Sequence, residues 1–330
     1  MNTVKRRSMV LPFLIIVICG GALIAGLLRG RPDGGLFAAG SAGDKEHSTS
    51  VKAEGIDSLD IGWINGGVEI RAADGDEIKV TEYSNKNLNK KDMFYTEVKG
   101  GVLSVNWRKS SVKNIIGINL LKKDLLVELP RKLAENLESL DCGTVSGSID
   151  AAELRSGKME FSSTSGGIDI ESVSTEKLDI TTVSGHINVS EAQCSKIGMF
   201  TTSGSIAVDG IESEDMDFTT VSGSVEIDGS FSGQIDGSTT SASVDIETDV
   251  CPERVDLGTV SGHFRLAVPD GTGFTAKYSS VSGSFNSDFP TVSEKNGDNK
   301  TEVYLDGKSR FDFSSVSGGI EIAESRAVKN

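Results

Sequence analysis

The chain has 330 residues, enough to bury a large core, and a formal charge of −15, which argues against a nucleic-acid partner because that contact needs clustered Lys and Arg. With 38 Gly, 6 Pro and many short β-branched runs, the composition favours strands and tight turns over helices. The acidity reads as a solvated surface, with a cation-binding face as the sharper alternative.

Residues 1–8 are short and basic and read as a cytoplasmic N-terminus. From Met9 to Leu28 there are 20 residues without a charge, the length a helix needs to cross ~30 Å of hydrocarbon. Residues 9–28 are therefore expected to form a transmembrane signal anchor. A cleaved signal peptide competes, but its apolar region is usually ~7–15 residues, and Ala38 and Ala42 lie well past the apolar run. Ile18 before Cys19 fits a lipoprotein processing site poorly. Lys5, Arg6 and Arg7 outweigh Arg29 and Arg31, so the short end should stay inside. The expectation is a single-pass protein of the cell membrane with its C-terminal domain extracytoplasmic. Residues 29–57, rich in Gly, Ala, Ser and charge, read as a flexible tether.

Residues 58–136 are expected to hold a first turn and an N-terminal cap of antiparallel β-strands. Leu59, Ile61 and Trp63 alternate up to Asn65-Gly66, followed by Val68 and Ile70. Glu77–Val80 and Leu125–Leu129 are strand candidates, and Lys99-Gly100-Gly101 sits between Phe94–Val98 and Val102–Trp107 as a hairpin signal.

Over 137–285 one stretch, first seen as Thr144-Val145-Ser146-Gly147-Ser148-Ile149-Asp150, keeps returning. Its central Ser recurs at Ser165, Ser184, Ser203, Ser222 and Ser241 in steps of 19, then at Ser261, Ser282 and Ser317. A fixed period of this size marks a solenoid. Positions −6 and −4 from each Ser, and +3 and +5 after it, are apolar in period-2 alternation, as in Leu178, Ile180, Ile187 and Val189. Each repeat thus reads as two short strands of a parallel β-solenoid, an all-β fold whose 19-residue turn has a perimeter of roughly 60 Å. Residues 286–323 read as a C-terminal hairpin cap (Glu302–Leu305 with Arg310–Phe313) and last repeat, and 324–330 as a tail.

Parity changes at the Ser, so a corner must absorb one residue. Gly147, Gly166, Gly185, Gly204, Gly223, Gly262, Gly283 and Gly318 are the expected structural corners, through tolerance of φ > 0. Ala242 breaks the series and predicts a different bend. The hydroxyls at −2, such as Thr144, Ser163 and Thr182, are expected to bond one another up the stack.

The outward candidates are acidic. Asp150, Asp169, Glu226, Asp245 and Glu321 share the +4 offset, while Glu171, Asp209, Asp228 and Glu247 share +6. They form the expected contact face, a broken one. His186 and His263 at +2 read as exposed corner residues, too far apart for one metal. Cys142, Cys194 and Cys251 show no zinc or disulfide spacing and read as packed residues. No catalytic cluster, metal site or cofactor is expected.

The repeated Thr-Val-Ser-Gly-x-Ile/Val-x-Ile/Val pattern, the lead-in Val127–Leu133 and the closing Phe311–Ile322 resemble the putative-adhesin family of bacterial β-strand-repeat proteins. The resemblance covers roughly residues 58–323. It implies an N-terminally anchored protein in the setting of envelope-stress systems, with no catalytic residues to carry over. A non-enzymatic, adhesin-like or envelope-organising protein is the leading expectation, with an envelope protein or glycan as partner. A regulatory partner of an envelope-stress sensor and a polysaccharide-active enzyme on a β-helix scaffold are the alternatives.

Overall fold

The computed structural model describes residues 45–108, 121–296 and 299–325. The expected membrane helix, its cytoplasmic flank, residues 29–44 and the tail beyond 325 lie outside the described residues. Among the described residues no helix is long and apolar enough to cross a membrane.

The chain opens with β1 (Lys45–Lys52), then β2 (Ser58–Gly62) and β3 (Val68–Ala73) on either side of the Asn65 corner. β4 (Glu77–Ser84) pairs antiparallel with β1. The tether expectation therefore fails over 45–52. Its physical reason is backbone pairing: no β1 side chain is fully buried, although Val51 packs against the core, and a ladder to β4 orders the strand. β5 (Tyr95–Lys99) and β6 (Val102–Asn106) form the expected hairpin, and β6 lies parallel to β2. β7 (Lys123–Pro130) lies parallel to β3 and antiparallel to β4. The N-terminal cap is thus only partly antiparallel, because β6 and β7 are strands of a coil laid outside the first one.

Pro130 ends β7, and the single turn α1 (Arg131–Ala134) brings the chain to β8 (Leu137–Thr144), parallel to β2 on its other side. From there the coils stack in sequence order through β9 (Ile149–Ser163), β10 (Ile168–Thr182), β11 (Ile187–Ser190), β12 (Gln193–Thr201), β13 (Ile206–Thr220), β14 (Val225–Phe231), β15 (Gln234–Thr239), β16 (Ser243–Thr248), β17 (Arg254–Thr259) and β18 (His263–Val268). All of these pairings are parallel and keep one register, as in Ile168 against Ile149 and Ile187, except for a bulge between Val208 and Ile211 where β13 meets β14.

Each coil has three faces, not two. After the second strand the backbone turns at Glu153, Ser172, Glu191 and Gly210, all at φ between 51° and 65°. A short third face follows, with Leu154, Val173, Ala192 and Ile211 buried beneath it. Only Gly210 of these turn residues announces a left-handed backbone, so the sequence pattern hides this corner.

At the C-terminal end the order of coils again departs from the order of the chain. β19 (Phe274–Ser280) and β20 (Phe285–Ser287) form the outermost coil, and β21 (Val292–Asn296) and β22 (Asn299–Tyr304) form a hairpin that caps β19 antiparallel. β23 (Ser309–Ser315) and β24 (Ile320–Glu324) then slot between β17/β18 and β19/β20. The hairpin expected between 302–305 and 310–313 is not formed, since those segments lie on opposite sides of β19. Aromatic packing closes the end: Phe274 stacks on Phe311 at 5.0 Å and meets Phe289 edge-on at 5.3 Å.

The N-terminal end is closed differently. Lys123 and Glu82 are both fully buried and 2.8 Å apart. The Lys123 ammonium also donates to the carbonyls of Trp107 (2.6 Å) and Asp92 (2.8 Å) and lies over the rings of Trp107 and Trp63. Glu82 accepts from the Phe94 N–H. Burial pushes the Lys123 amine below its ordinary range, against the pull of Glu82.

Candidate binding faces

The first corner, where the Ser-Gly pairs sit, is held by a repeated set of bonds. Each central Ser N–H donates to the carbonyl one residue before the Ser of an adjoining coil, as in Ser165 to Val145 (3.1 Å) and Ser203 to Val183 (3.0 Å). The −2 hydroxyl accepts from the Gly N–H within its own coil, 2.8 Å for Gly166 to Ser163, and donates to the neighbouring coil's Gly carbonyl, 3.2 Å for Ser163 to Gly147. The expected hydroxyl-to-hydroxyl ladder is therefore a hydroxyl-to-backbone ladder, because the corner's orphan N–H and C=O groups are the nearer partners.

The corner glycines are also needed for a different reason than a left-handed turn. A Cβ at Gly166 would stand 1.7 Å from the Gly147 carbonyl oxygen, and one at Gly204 would stand 1.6 Å from that of Gly185. Close approach of stacked backbones, and not positive φ, excludes a side chain. Ala242 keeps the usual bond to Thr239 Oγ1 (3.0 Å), so its own corner is regular. The difference falls on the adjoining coil: Gly223 has φ 156°, and the buried Thr220 hydroxyl is without a partner among the described residues. The extra methyl acts on the corner that a Cβ at this place meets.

On the second face the structure divides the expected acidic residues. Asp150 and Asp169 are cross-strand neighbours, but the +4 column then passes through Asn188 and Ala207 before resuming at Glu226 and Asp245. In the +6 column Glu171 is separated from Asp209 by Ser190, while Asp228 faces Glu247. Arg265 takes Asp245 at 2.7 Å and reaches Glu247 at 3.9 Å. The face is thus two acidic clusters, the second partly neutralised.

The first cluster includes a histidine. His186 Nε2 lies 3.2 Å from Asp169 Oδ2, and its ring occupies the space that a Cβ at Gly167 would need. His263 repeats the arrangement against Gly319 and Glu321, at 3.9 Å. Burial, then the neighbouring Asp169, pushes the Asp150 carboxyl up to about 6. Burial also works to raise Asp169, but hydrogen bonds from His186 and Asn188 prevail and hold it below its ordinary value. The bond to Asp169 raises His186.

The first face carries columns that the +4 and +6 offsets miss. Five residues before the corners stand Asp60, Asp141, Glu160, Asp179, Asp217, Asp236, Asp256 and Asp312, in one register that Gly198 and Lys277 interrupt. Two residues further out, Lys158, Lys196 and Arg254 pair with Glu160 (2.8 Å), Asp217 (2.5 Å) and Asp256 (3.5 Å), and Lys177 pairs with Asp179. The signal was present in the sequence as an acid between the −6 and −4 apolar residues. Along the third face lies a shallow groove, including a 470 Å³ depression lined by Ser174, Gln193, Cys194, Glu212 and Ser230.

Cys142 is buried in the core, and burial raises the thiols of Cys194 and Cys251. Among the described residues no group of three or more His, Cys, Asp or Glu side chains is placed to hold a metal ion.

The Toastrack DUF4097 family model matches residues 56–323. The chain belongs to that family. This Toastrack protein is similar in fold to solved structures that cover nearly the whole of their own chains. A "putative adhesin" from Parabacteroides merdae aligns with a TM-score of 0.52 at 11% identity over 86% of this chain and 98% of that one. A "putative lipid binding protein" from Parabacteroides distasonis aligns at 0.51 with 17% identity over 86% and 98%. A "putative adhesin" from the same species aligns at 0.50 with 13% identity over 85% and 98%. At these identities the likeness concerns the fold alone. No curated protein matches the chain significantly.

Proposed function

We propose that this Toastrack protein is a membrane-anchored, extracytoplasmic β-solenoid that binds without catalysing, in an adhesin-like or envelope-organising role. The observation that carries the reading is the outer surface itself. Its chemistry is repeated column by column along the stack, as in the acids at −5, instead of converging on one point. A repeated surface suits recognition of an extended partner. The names of the similar solved structures, adhesin and lipid-binding protein, agree with binding. The uncharged run from Met9 to Leu28 supports the anchor, and its basic flank supports an exported C-terminal domain.

The placement is tested by protease treatment of intact and lysed cells. The exported domain should be cleaved in both. Cleavage only after lysis would show the domain to be inside.

A further inference from the structure

The first corner presents a second pattern, on its outer side. The residue just before each Ser points out, and at Val145, Val221, Val260, Val316 and Val281 it is 41–81% exposed. Five of the nine exposed large apolar side chains among the described residues lie on this one edge, which makes it a ridge and not scatter. Successive members are joined through the corner bonds: Ser317 N–H donates to Val260 O (3.0 Å) and Ser282 N–H to Val316 O (2.9 Å). Val260, Val316 and Val281 are therefore neighbours about 4.8 Å apart along the stack, while Thr164, Val183 and Thr202 stand between Val145 and Val221, and Thr240 between Val221 and Val260.

Carboxylates border the ridge on both sides at three of the five valines; Val260 has Arg265 on its second-face side, and Val281 has Lys277 and Asn286 at the border positions. Val145 lies between Asp141 on the first face and Asp150 on the second, Val221 between Asp217 and Glu226, and Val316 between Asp312 and Glu321. Lys158, Lys177, Lys196 and Arg254 neutralise part of the first-face border from its far side, and Arg265 takes Asp245 on the second. Between the borders, from three residues before each Ser to two after it, no Asp, Glu, Lys or Arg occurs in any corner from Gly62–Gly67 to Ser314–Gly319. A second copy of this acidic chain would bring carboxylate borders against carboxylate borders. An anionic surface would meet the same repulsion.

We infer that the valine ridge is the docking edge for a protein partner whose contact surface is uncharged and apolar along its centre and lined by Lys or Arg on both sides. The inference rests on the reading of the protein as a binding module. It adds where the partner sits and what chemistry it presents. Crowding of like charges agrees with it: burial and then Glu160 and Asp60 raise Asp141, as burial and then Asp169 raise Asp150, so cations brought to these borders relieve repulsion.

The test uses the full chain in intact cells with a photo-crosslinking residue at Val145 or at Val316, and at Val250 as an exposed apolar control away from the ridge. The two ridge sites should crosslink to one protein partner, and mapping the crosslinked peptide should place it between basic residues. The yield should fall at least tenfold in the Asp141→Lys/Asp150→Lys and Asp312→Lys/Glu321→Lys variants, while Val250 gives no such product. Crosslinks only to a second copy of the chain, only to lipid, to a partner site lacking basic residues, or no crosslink at all would overturn the inference. Insensitivity to the charge-reversed variants would do the same. Protease accessibility reports placement separately, so failure here is distinguishable from a misplaced domain.

Discussion

Gly185 shows how little room the stack leaves at a single atom. A methyl there would meet the Gly166 carbonyl oxygen at 1.8 Å, and backbone cannot yield as a flexible side chain can. Gly185→Ala should cost about 1–3 kcal/mol in urea unfolding, the usual range for overpacking. Gly198→Ala, facing outward with only the Asp179 carboxylate near, should cost far less. Equal effects would show that close approach is not what the corners require. At the same scale, the Asp150–Asp169–His186 cluster makes stability depend on pH. Asp150 is raised from 3.8 to about 6, so the folded state holds its proton more tightly, and that contribution is lost as pH rises from about 4 through 6. His186 is raised above 6.5, so its contribution is present below that value and lost as pH rises through the folded pKa. Asp169 is lowered and acts in the opposite sense, losing its contribution as pH falls below 3.8. Stability should therefore decline as pH rises from about 4 through 6, and again above 6.5. Asp150→Asn should flatten the acid part of that decline in unfolding measured across the range, and His186→Asn the neutral part.

Among the elements, β7 matters most to the N-terminal end because it carries Lys123. Removing the amine leaves the Glu82 carboxylate buried without its cation, and breaking a buried pair typically costs about 3–5 kcal/mol. Lys123→Ala should lose that much. Lys123→Met with Glu82→Gln should recover part of it, since no charge then stays buried and the amide oxygen still meets the Phe94 N–H. A double variant as weak as the single one would mean that the ammonium's bonds to Trp107 and Asp92, and not the pair, hold the cap. This element also shows where sequence reading stops. The alternation of Leu125, Val127 and Leu129 made β7 legible as a strand, and Lys99-Gly100-Gly101 made the β5–β6 hairpin legible. Nothing local told that Lys123 is interior, because a lysine before an apolar strand is ordinarily solvated. β1 was equally hidden: its order comes from backbone pairing to β4, which leaves no apolar pattern.

Over the whole molecule, the 19-residue period revealed the solenoid and the apolar offsets identified its core, as Ile149, Ile168 and Ile187 in one register confirm. The third face escaped because Glu153, Ser172 and Glu191 turn the chain without glycine. The interleaved ends escaped because a period reports similarity between coils and not their neighbours in space. Excising residues 185–203, one whole period, should leave a folded protein with its register intact, since each coil contacts only its neighbours. Deleting 309–325 should instead separate β19/β20 from β17/β18 and expose the aromatic end, visible as aggregation or loss of the cooperative transition.

The proposed binding surface is the outside of this stack, along the valine edge and its acidic borders. Carboxylate footprinting of the chain in its cell envelope, compared with the isolated domain, tests that directly. Asp141, Asp150, Asp217 and Glu226 should be protected in the envelope, while Glu135, Glu153 and Glu191 along the third-face groove stay as reactive as in isolation. Protection of the groove with free borders, or equal labelling everywhere, would contradict it.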